Sequence, residues 1–126
     1  NKKIIGNGKN TIISYGVCSE QIFKILYKNK SLQNKFTLFN FPLVTSLDKT
    51  FLLNLSKKSK NLLVIEDHLN KGSLSEKIKV LLYENNIKIK LISKNLGNDY
   101  FKPKETLNEL FKNYGITKEY LINLNL

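Results

Sequence analysis

Residues 60–82 read KNLLVIEDHLNKGSLSEKIKVLL. The run Leu62-Leu63-Val64-Ile65 shows no alternation of apolar and polar residues, so it predicts a strand covered on both faces, the kind found in parallel sheets. Glu66, Asp67 and His68 then open a polar turn. Beyond it, Ser75 or Ser73 can cap a helix running to about Glu84, with Ile78, Leu81 and Leu82 on its buried face. In open parallel sheets the carboxyl ends of the strands face the ligand crevice. Glu66, Asp67 and His68, the last being the only histidine of the chain, are therefore either components of a site or part of an interface. A plainer reading makes Glu66 and Asp67 acceptors for backbone donors or caps for the following helix, with His68 a solvated turn residue.

Working outward from this unit, strands and helices take turns. Lys3 to Ile5 predicts a short strand, Gly6-Asn7-Gly8 a turn, and Thr11 to Tyr15 a strand ended by Gly16. From Ser19 to Lys28, Ile22, Phe23, Ile25 and Leu26 recur at helical spacing, and Ser19 is the expected N-cap. Lys35 to Phe41 returns to strand and Pro42 stops it. Ser46-Leu47-Asp48 opens a helix whose Phe51, Leu52 and Leu55 point inward. Ile87 to Ile92 alternates as a strand nearer an edge, Asn85-Asn86 having ended the helix before it. In the tail, Leu107, Leu110 and Phe111 share one face of a helix over 104–114, Gly115 closes it, and Thr117 caps a last helix through Leu124. Tyr100 and Phe101, before Pro103, are expected to anchor this tail. The alternation favours a single three-layer α/β domain with a mostly parallel sheet.

Composition narrows the function classes. A chain of 126 residues, 41% hydrophobic, is long enough for one proper core and too short for two. No apolar stretch approaches the roughly 18 to 20 residues needed to cross a bilayer. Cys18 is the sole cysteine, so neither an internal disulfide nor a cysteine cluster for zinc can form, and a reducing compartment is expected, the cytoplasm or, if a transit peptide was removed, an organelle. A small buried core residue is the expected role of Cys18, because no histidine stands near it to activate a thiol. The net charge of +11 would ordinarily suggest nucleic acid, yet all 21 basic residues are lysine. Arginine, the bidentate reader of phosphate and guanine, is absent. Alanine is absent as well, a pattern expected from an AT-rich genome. The aromatic residues are spread over the elements rather than gathered into a stacking platform. Asn1-Lys2-Lys3 lacks both an initiator Met and an apolar leader core, and no Met occurs anywhere, so the chain reads as a piece or subunit of a longer protein.

The order of these elements and their local signatures resemble the C-terminal domain of the transketolase family over nearly the whole chain. The resemblance is carried by Ile12-Ile13-Ser14-Tyr15-Gly16, by Phe39-Asn40-Phe41-Pro42 with Ser46-Leu47-Asp48, and by Leu63-Val64-Ile65-Glu66-Asp67-His68 with Gly72. Residues 107–122, LNELFKNYGITKEYLI, are similar to the family's closing helix, Tyr-Gly and last helix. Each piece is weak alone; four in the right order are far more specific. The sequence departs from the family at Gly72-Ser73-Leu74-Ser75, where many members have Gly-Gly, an apolar residue and Gly. The resemblance implies a five-stranded sheet with one antiparallel strand. It also implies a place as third domain of a thiamine-diphosphate enzyme, partnered by other domains or a subunit of that enzyme in a homo-oligomer such as a dimer. Glu-Asp-His and Tyr-Gly look closest to transketolase proper, which moves a two-carbon ketol unit between sugar phosphates. A 1-deoxyxylulose-5-phosphate synthase or a 2-oxoacid dehydrogenase beta subunit is the alternative within the family; a free-standing α/β binding or regulatory module is the alternative outside it.

On that resemblance, thiamine diphosphate and magnesium belong to the parent enzyme and not to this domain. The Gly-Asp-Gly and distant Asn that hold the metal in the family are missing, and the glutamate that contacts the pyrimidine ring comes from the middle domain, so Glu66 is not that catalytic residue. Gly6-Asn7-Gly8-Lys9 lacks the continuation of a phosphate loop and reads as a hairpin turn. No residue is expected to be catalytic, to bind the cofactor or to ligate metal, and the isolated domain is expected to be inactive. Glu66, Asp67, His68 and Gly72 are the candidates for a substrate channel or interface. Tyr15, Asn40 and Pro42, at predicted carboxyl ends of strands, could line the same edge.

Overall fold

The computed structural model describes residues 2–41, 48–66, 73–95, 109, 111, 112 and 115–126. Its elements in chain order are β1 (Lys2–Gly6), β2 (Asn10–Ser14), α1 (Gly16–Tyr27), α2 (Lys30–Lys35), β3 (Phe36–Asn40), α3 (Lys49–Lys58), β4 (Asn61–Glu66), α4 (Leu74–Glu84), β5 (Lys90–Asn95) and α5 (Lys118–Asn123). The strands form one five-stranded sheet in the order β1-β3-β2-β4-β5. β1 runs antiparallel to β3, and the other neighbours are parallel. The mostly parallel sheet with one antiparallel strand is the architecture expected from the sequence.

β4 sits between β2 and β5, and all six of its residues are buried, which is why it carries no polar residue between Asn61 and Glu66. Its side chains alternate between two cores. Leu63 and Ile65 join Ile12 of β2, Ile22 and Leu26 of α1, Leu32 of α2, and Phe111, Ile116 and Leu121 of the tail on one face. Leu62 and Val64 join Ile13, Leu52 of α3 and Leu74, Ile78, Leu81 and Leu82 of α4 on the other. Burying each of the β4 apolar side chains stabilises the fold by about 1.5–3 kcal/mol. Cys18 is fully buried in the first core, the packing role expected of it.

Four local readings change. Ser19 is not the cap of α1: that helix begins three residues earlier, with extended Tyr15 as its N-cap and Gly16 in the left-handed region at φ +60°. Helical periodicity marks the apolar face and not the start, and Gly16 supplies a start that has no oxygen-bearing cap. α2 was not expected, because its sequence KSLQNK carries one buried apolar residue, Leu32, too few to show a period.

The Gly6-Asn7-Gly8 turn is not a hairpin, since β3 lies between β1 and β2. The connection crosses over the start of β3, with Asn7 N–H on the Gln33 carbonyl, Gly8 N–H on the Phe36 carbonyl and the Thr37 hydroxyl on the Gly8 carbonyl. A β-carbon at Gly8 would stand 2.1 Å from the Lys35 carbonyl carbon, so the crossing requires glycine there.

The last strand begins at Lys90 rather than Ile87. Ile87 and Ile89 are half-buried between exposed Lys88 and Lys90, so the alternation is real. The backbone at Ile87 is engaged elsewhere: its N–H reaches the Leu82 carbonyl and the Asn86 N–H the Tyr83 carbonyl, with Asn86 at φ +56°. These two bonds are a Schellman closure of α4. Gly115 closes the preceding helical turn in the same way, through Ile116 N–H on Phe111 and Gly115 N–H on Lys112.

Candidate functional site at the carboxyl edge of the sheet

Parallel strands β2, β3 and β4 end together: Ser14 and Asn40, the last residues of β2 and β3, are in register with Ile65, the last but one of β4. The chain then leaves β2 into α1 and, past Glu66, re-enters helix at α4. The Ser14 hydroxyl donates to the Ile65 carbonyl at 2.6 Å and the Phe41 N–H to the Ser14 carbonyl at 2.9 Å, tying the three strand ends together.

Glu66 is the centre of this edge. It is fully buried, and its carboxylate accepts three hydrogen bonds, each 3.0 Å long: from the Tyr15 hydroxyl and Leu74 N–H on Oε1, and from Ser75 N–H on Oε2. Leu74 and Ser75 are the first two residues of α4. The third N–H of that helix, from Glu76, is taken by the hydroxyl of N-cap Ser73 at 3.1 Å. Glu66 and Ser73 together satisfy the first-turn donors that a helix cannot satisfy itself, and a carboxylate there also meets the positive end of the helix dipole. The negative charge is thereby held in the protein interior by three donors and one helix end.

This geometry assigns Glu66 the work of a strand-to-helix clamp. Its two oxygens face Tyr15 and α4. Asp67, His68 and Gly72, which separate the clamp residues Glu66 and Ser73 in sequence, lie outside the described residues, as do Pro42, Ser46, Leu47, Tyr100, Phe101, Pro103, Leu107, Leu110 and Tyr114. Asp48 is described, and its carboxylate caps α3 by accepting from the Phe51 N–H at 3.0 Å. Tyr15 and Asn40 both reach the carboxyl edge, but to different ends: Tyr15 turns toward β4, while Asn40 lines a cleft beside β1.

Sequence reasoning missed the Tyr15–Glu66 bond, because the partners are 51 residues apart and only the strand order brings them together. The available signal was that both residues stand at predicted carboxyl ends of strands and so at the same edge. It also missed Ser19 and Gly16 as cleft residues, having given Ser19 to a helix cap.

The described residues of this edge do not supply the oxygen-rich donor set that magnesium and a pyrophosphate demand. Among the described residues Glu66 is the buried carboxylate, and both of its oxygens are engaged. No group of three or more His, Cys, Asp or Glu side chains converges among the described residues. No helix among them is long and apolar enough to cross a membrane.

Comparison with known proteins agrees with the architecture. Residues 4–121 match the family model "Transketolase, C-terminal domain". The 1-deoxy-D-xylulose-5-phosphate synthase of Clostridium tetani (strain Massachusetts / E88) is 28% identical over 116 residues, 91% of this chain and 18% of that protein. The synthase of the same name from Clostridium beijerinckii (strain ATCC 51743 / NCIMB 8052) is 36% identical over 84 residues, 66% of this chain and 13% of that protein. The chain thus spans less than a fifth of the length of these curated relatives. Among solved structures, a split-gene transketolase in an inactive beta4 tetramer superimposes with a TM-score of 0.75 at 18% identity, covering 96% of this chain and 40% of that one. A 2-oxoglutarate:ferredoxin oxidoreductase from Magnetococcus marinus superimposes with a TM-score of 0.60 at 16% identity, over 95% of this chain and 19% of that one. With the family match running from β1 into α5 and the strand order and antiparallel edge in agreement, the chain belongs to the transketolase C-terminal domain family.

Proposed function

We propose that this chain is the C-terminal domain of a larger thiamine-diphosphate-dependent enzyme of the 1-deoxy-D-xylulose-5-phosphate synthase type, with cofactor, magnesium and bond-making chemistry held by its other domains or a partner subunit. The observation that carries this reading is the similarity to two such synthases, one of them over 91% of the chain. It favours the synthase over transketolase proper, for which the support is the Glu66-Asp67-His68 and Tyr114-Gly115 resemblance and a likeness of fold. In this reading the domain's own contribution is architectural. Glu66 fixes the end of β4 against the start of α4, and the intervening residues, Asp67, His68 and Gly72 among them, face the catalytic domains or a subunit contact.

The test is to express the full natural polypeptide together with any adjacent subunit gene and assay two products. Formation of 1-deoxy-D-xylulose 5-phosphate with added thiamine diphosphate and magnesium supports the proposal. Two-carbon ketol transfer between sugar phosphates in its place would return the assignment to transketolase proper. Neither activity, in a folded protein whose gene lacks Gly-Asp-Gly and its distant Asn, would overturn it in favour of a repurposed α/β binding module.

A further inference from the structure

Gly6-Asn7-Gly8 carries the chain from β1 across the start of β3, and the packing there dictates both glycines. A β-carbon at Gly6 would stand 2.2 Å from the Phe36 carbonyl oxygen and one at Gly8 2.1 Å from the Lys35 carbonyl carbon, and Gly6 also has a φ of +97°. Asn7 between them is exposed, so packing does not demand an asparagine at that position. The outcome is the one Asn-Gly pair of the sequence, a pair with a chemistry of its own.

In an Asn-Gly pair the backbone nitrogen of the glycine lies within reach of the asparagine side-chain carbonyl carbon, and the glycine has no β-carbon to hinder its attack. Here a bond would form between the Gly8 nitrogen and Asn7 Cγ. The Cγ–Nδ2 bond breaks, and ammonia leaves with the proton that the Gly8 amide gives up. Water then opens either carbonyl of the resulting succinimide, giving an aspartate or an isoaspartate whose main chain runs through the former side-chain carbon. Both products carry a new negative charge, and the isoaspartate also lengthens the backbone by one carbon.

The fold opposes the first step. The Gly8 N–H donates to the Phe36 carbonyl at 3.2 Å, the Asn7 N–H to the Gln33 carbonyl at 2.9 Å, and the Thr37 hydroxyl to the Gly8 carbonyl at 2.7 Å. These bonds hold the backbone on both sides of the reacting nitrogen, and a succinimide nitrogen has no proton with which to keep the first of them. The reaction therefore requires residues 7 and 8 to leave β3. β1 is the strand placed to let them do so. It stands at one edge of the sheet, pairs with β3 alone among the described residues, and shifts register between Lys3 and Ile5. Such an edge opens at lower cost than a central strand like β4, which is buried throughout.

From these observations we propose that Asn7 is a deamidation site gated by the opening of β1 from β3, and that the isoaspartyl product prevents β1 from closing again. The lengthened main chain cannot bring both N–H groups onto the Gln33 and Phe36 carbonyls together, because those acceptors are fixed by α2 and the start of β3. Each opening that ends in reaction is thereby made irreversible. The proposal stands whichever thiamine enzyme the parent is.

The sequence supplies a convenient readout: Lys3 and Lys9 flank the site, so lysine-specific cleavage releases residues 4–9, in which Asn7 is the one asparagine. The full natural polypeptide is incubated in mildly alkaline buffer, folded or in denaturing guanidinium, and this peptide is followed by mass spectrometry for the gain of one mass unit. Deamidation in the folded protein is expected to be slower than in the unfolded chain by about ten-fold or more, in proportion to the population of the open edge. Thr37→Val, which removes the bond to the Gly8 carbonyl and keeps a branched side chain, should raise the folded rate and leave the unfolded rate unchanged. Hydrogen exchange of the isoaspartyl fraction should find the β1 amides unprotected. Equal rates in the folded and unfolded parent would overturn the gate, a comparison that needs no variant and so survives a misfolded Thr37→Val. A folded Thr37→Val protein modified no faster than the parent would overturn it too. Isoaspartyl protein whose β1 amides exchange as slowly as before modification would overturn the block on closing.

Discussion

The Tyr15 hydroxyl donates to Glu66 Oε1 at 3.0 Å, joining the residue after β2 to the last residue of β4 across adjacent parallel strands. The same oxygen accepts the Leu74 N–H, so one atom links two strand ends and the start of α4. Glu66→Gln keeps the shape but turns an NH₂ toward donors, leaving at least one of them unpaired in the interior. A loss of about 1–3 kcal/mol is expected. Tyr15→Phe removes a single partner and should cost about 0.5–1.5 kcal/mol. Urea unfolding of both single variants and the double variant checks this: the double variant should lose less than the sum. Full additivity would show that the two side chains do not act as a unit.

How much of this was legible in the sequence depends on the range of each interaction. The buried strand 62–65, the Asp48, Ser73 and Thr117 caps and the Gly115 closure are local patterns, and the structure has all of them. The start of α1 and of β5 depend on backbone commitments at Gly16 and Ile87 that side-chain periodicity does not report. The crossing of residues 7–9 over β3 depends on strand order, which no local pattern contains. Glu66 was visible as a group at a strand end, but its partners were not, because Tyr15 approaches from 51 residues away.

Gly8 and Gly16 separate two reasons for glycine. At Gly8 a β-carbon would strike Lys35 and Phe36 backbone atoms at 2.1–2.3 Å, so Gly8→Ala must displace the β3 start and should cost about 3 kcal/mol or more. At Gly16 space is open and only the left-handed φ of +60° opposes a side chain, so Gly16→Ala should cost about 1–2 kcal/mol. Thermal unfolding of the pair gives the ranking, and a Gly16→Ala loss as large as that of Gly8→Ala would contradict this account.

Lys35 bridges α2 to the chain end. Its ammonium donates to the carbonyls of Leu121, Ile122 and Leu124 at 3.0, 3.3 and 3.1 Å, at the C-terminus of α5, and stands 5.2 Å from the Phe36 ring centroid. Three unsatisfied helix-end carbonyls and the negative end of the dipole are met by one cation. Lys35→Met, which keeps the apolar stem, should cost about 1–2 kcal/mol and speed hydrogen exchange of the α5 amides. If exchange there is unchanged while stability falls, the bridge is not what holds the tail.

The tail meets β5 through Tyr120, whose ring lies 5.0 Å from the Lys94 ammonium. Burial raises the Tyr120 phenol above its ordinary value of 10.0, because the interior disfavours the phenolate. The unfolded chain releases this proton first, so above the unfolded value the folded state binds more protons and stability falls as pH rises. The loss begins near pH 10 and levels off once the folded phenol also ionises. Tyr120→Phe removes this component, so the slope of unfolding free energy between about pH 9 and 11 should be shallower in the variant than in the parent. Ultraviolet titration of the folded parent should show a late-ionising tyrosine that is missing from the Tyr120→Phe variant. Equal slopes, with the variant having lost a tyrosine that ionises in the ordinary range, would mean that the phenol is solvated in solution, and the packing of α5 against β5 would then need revision.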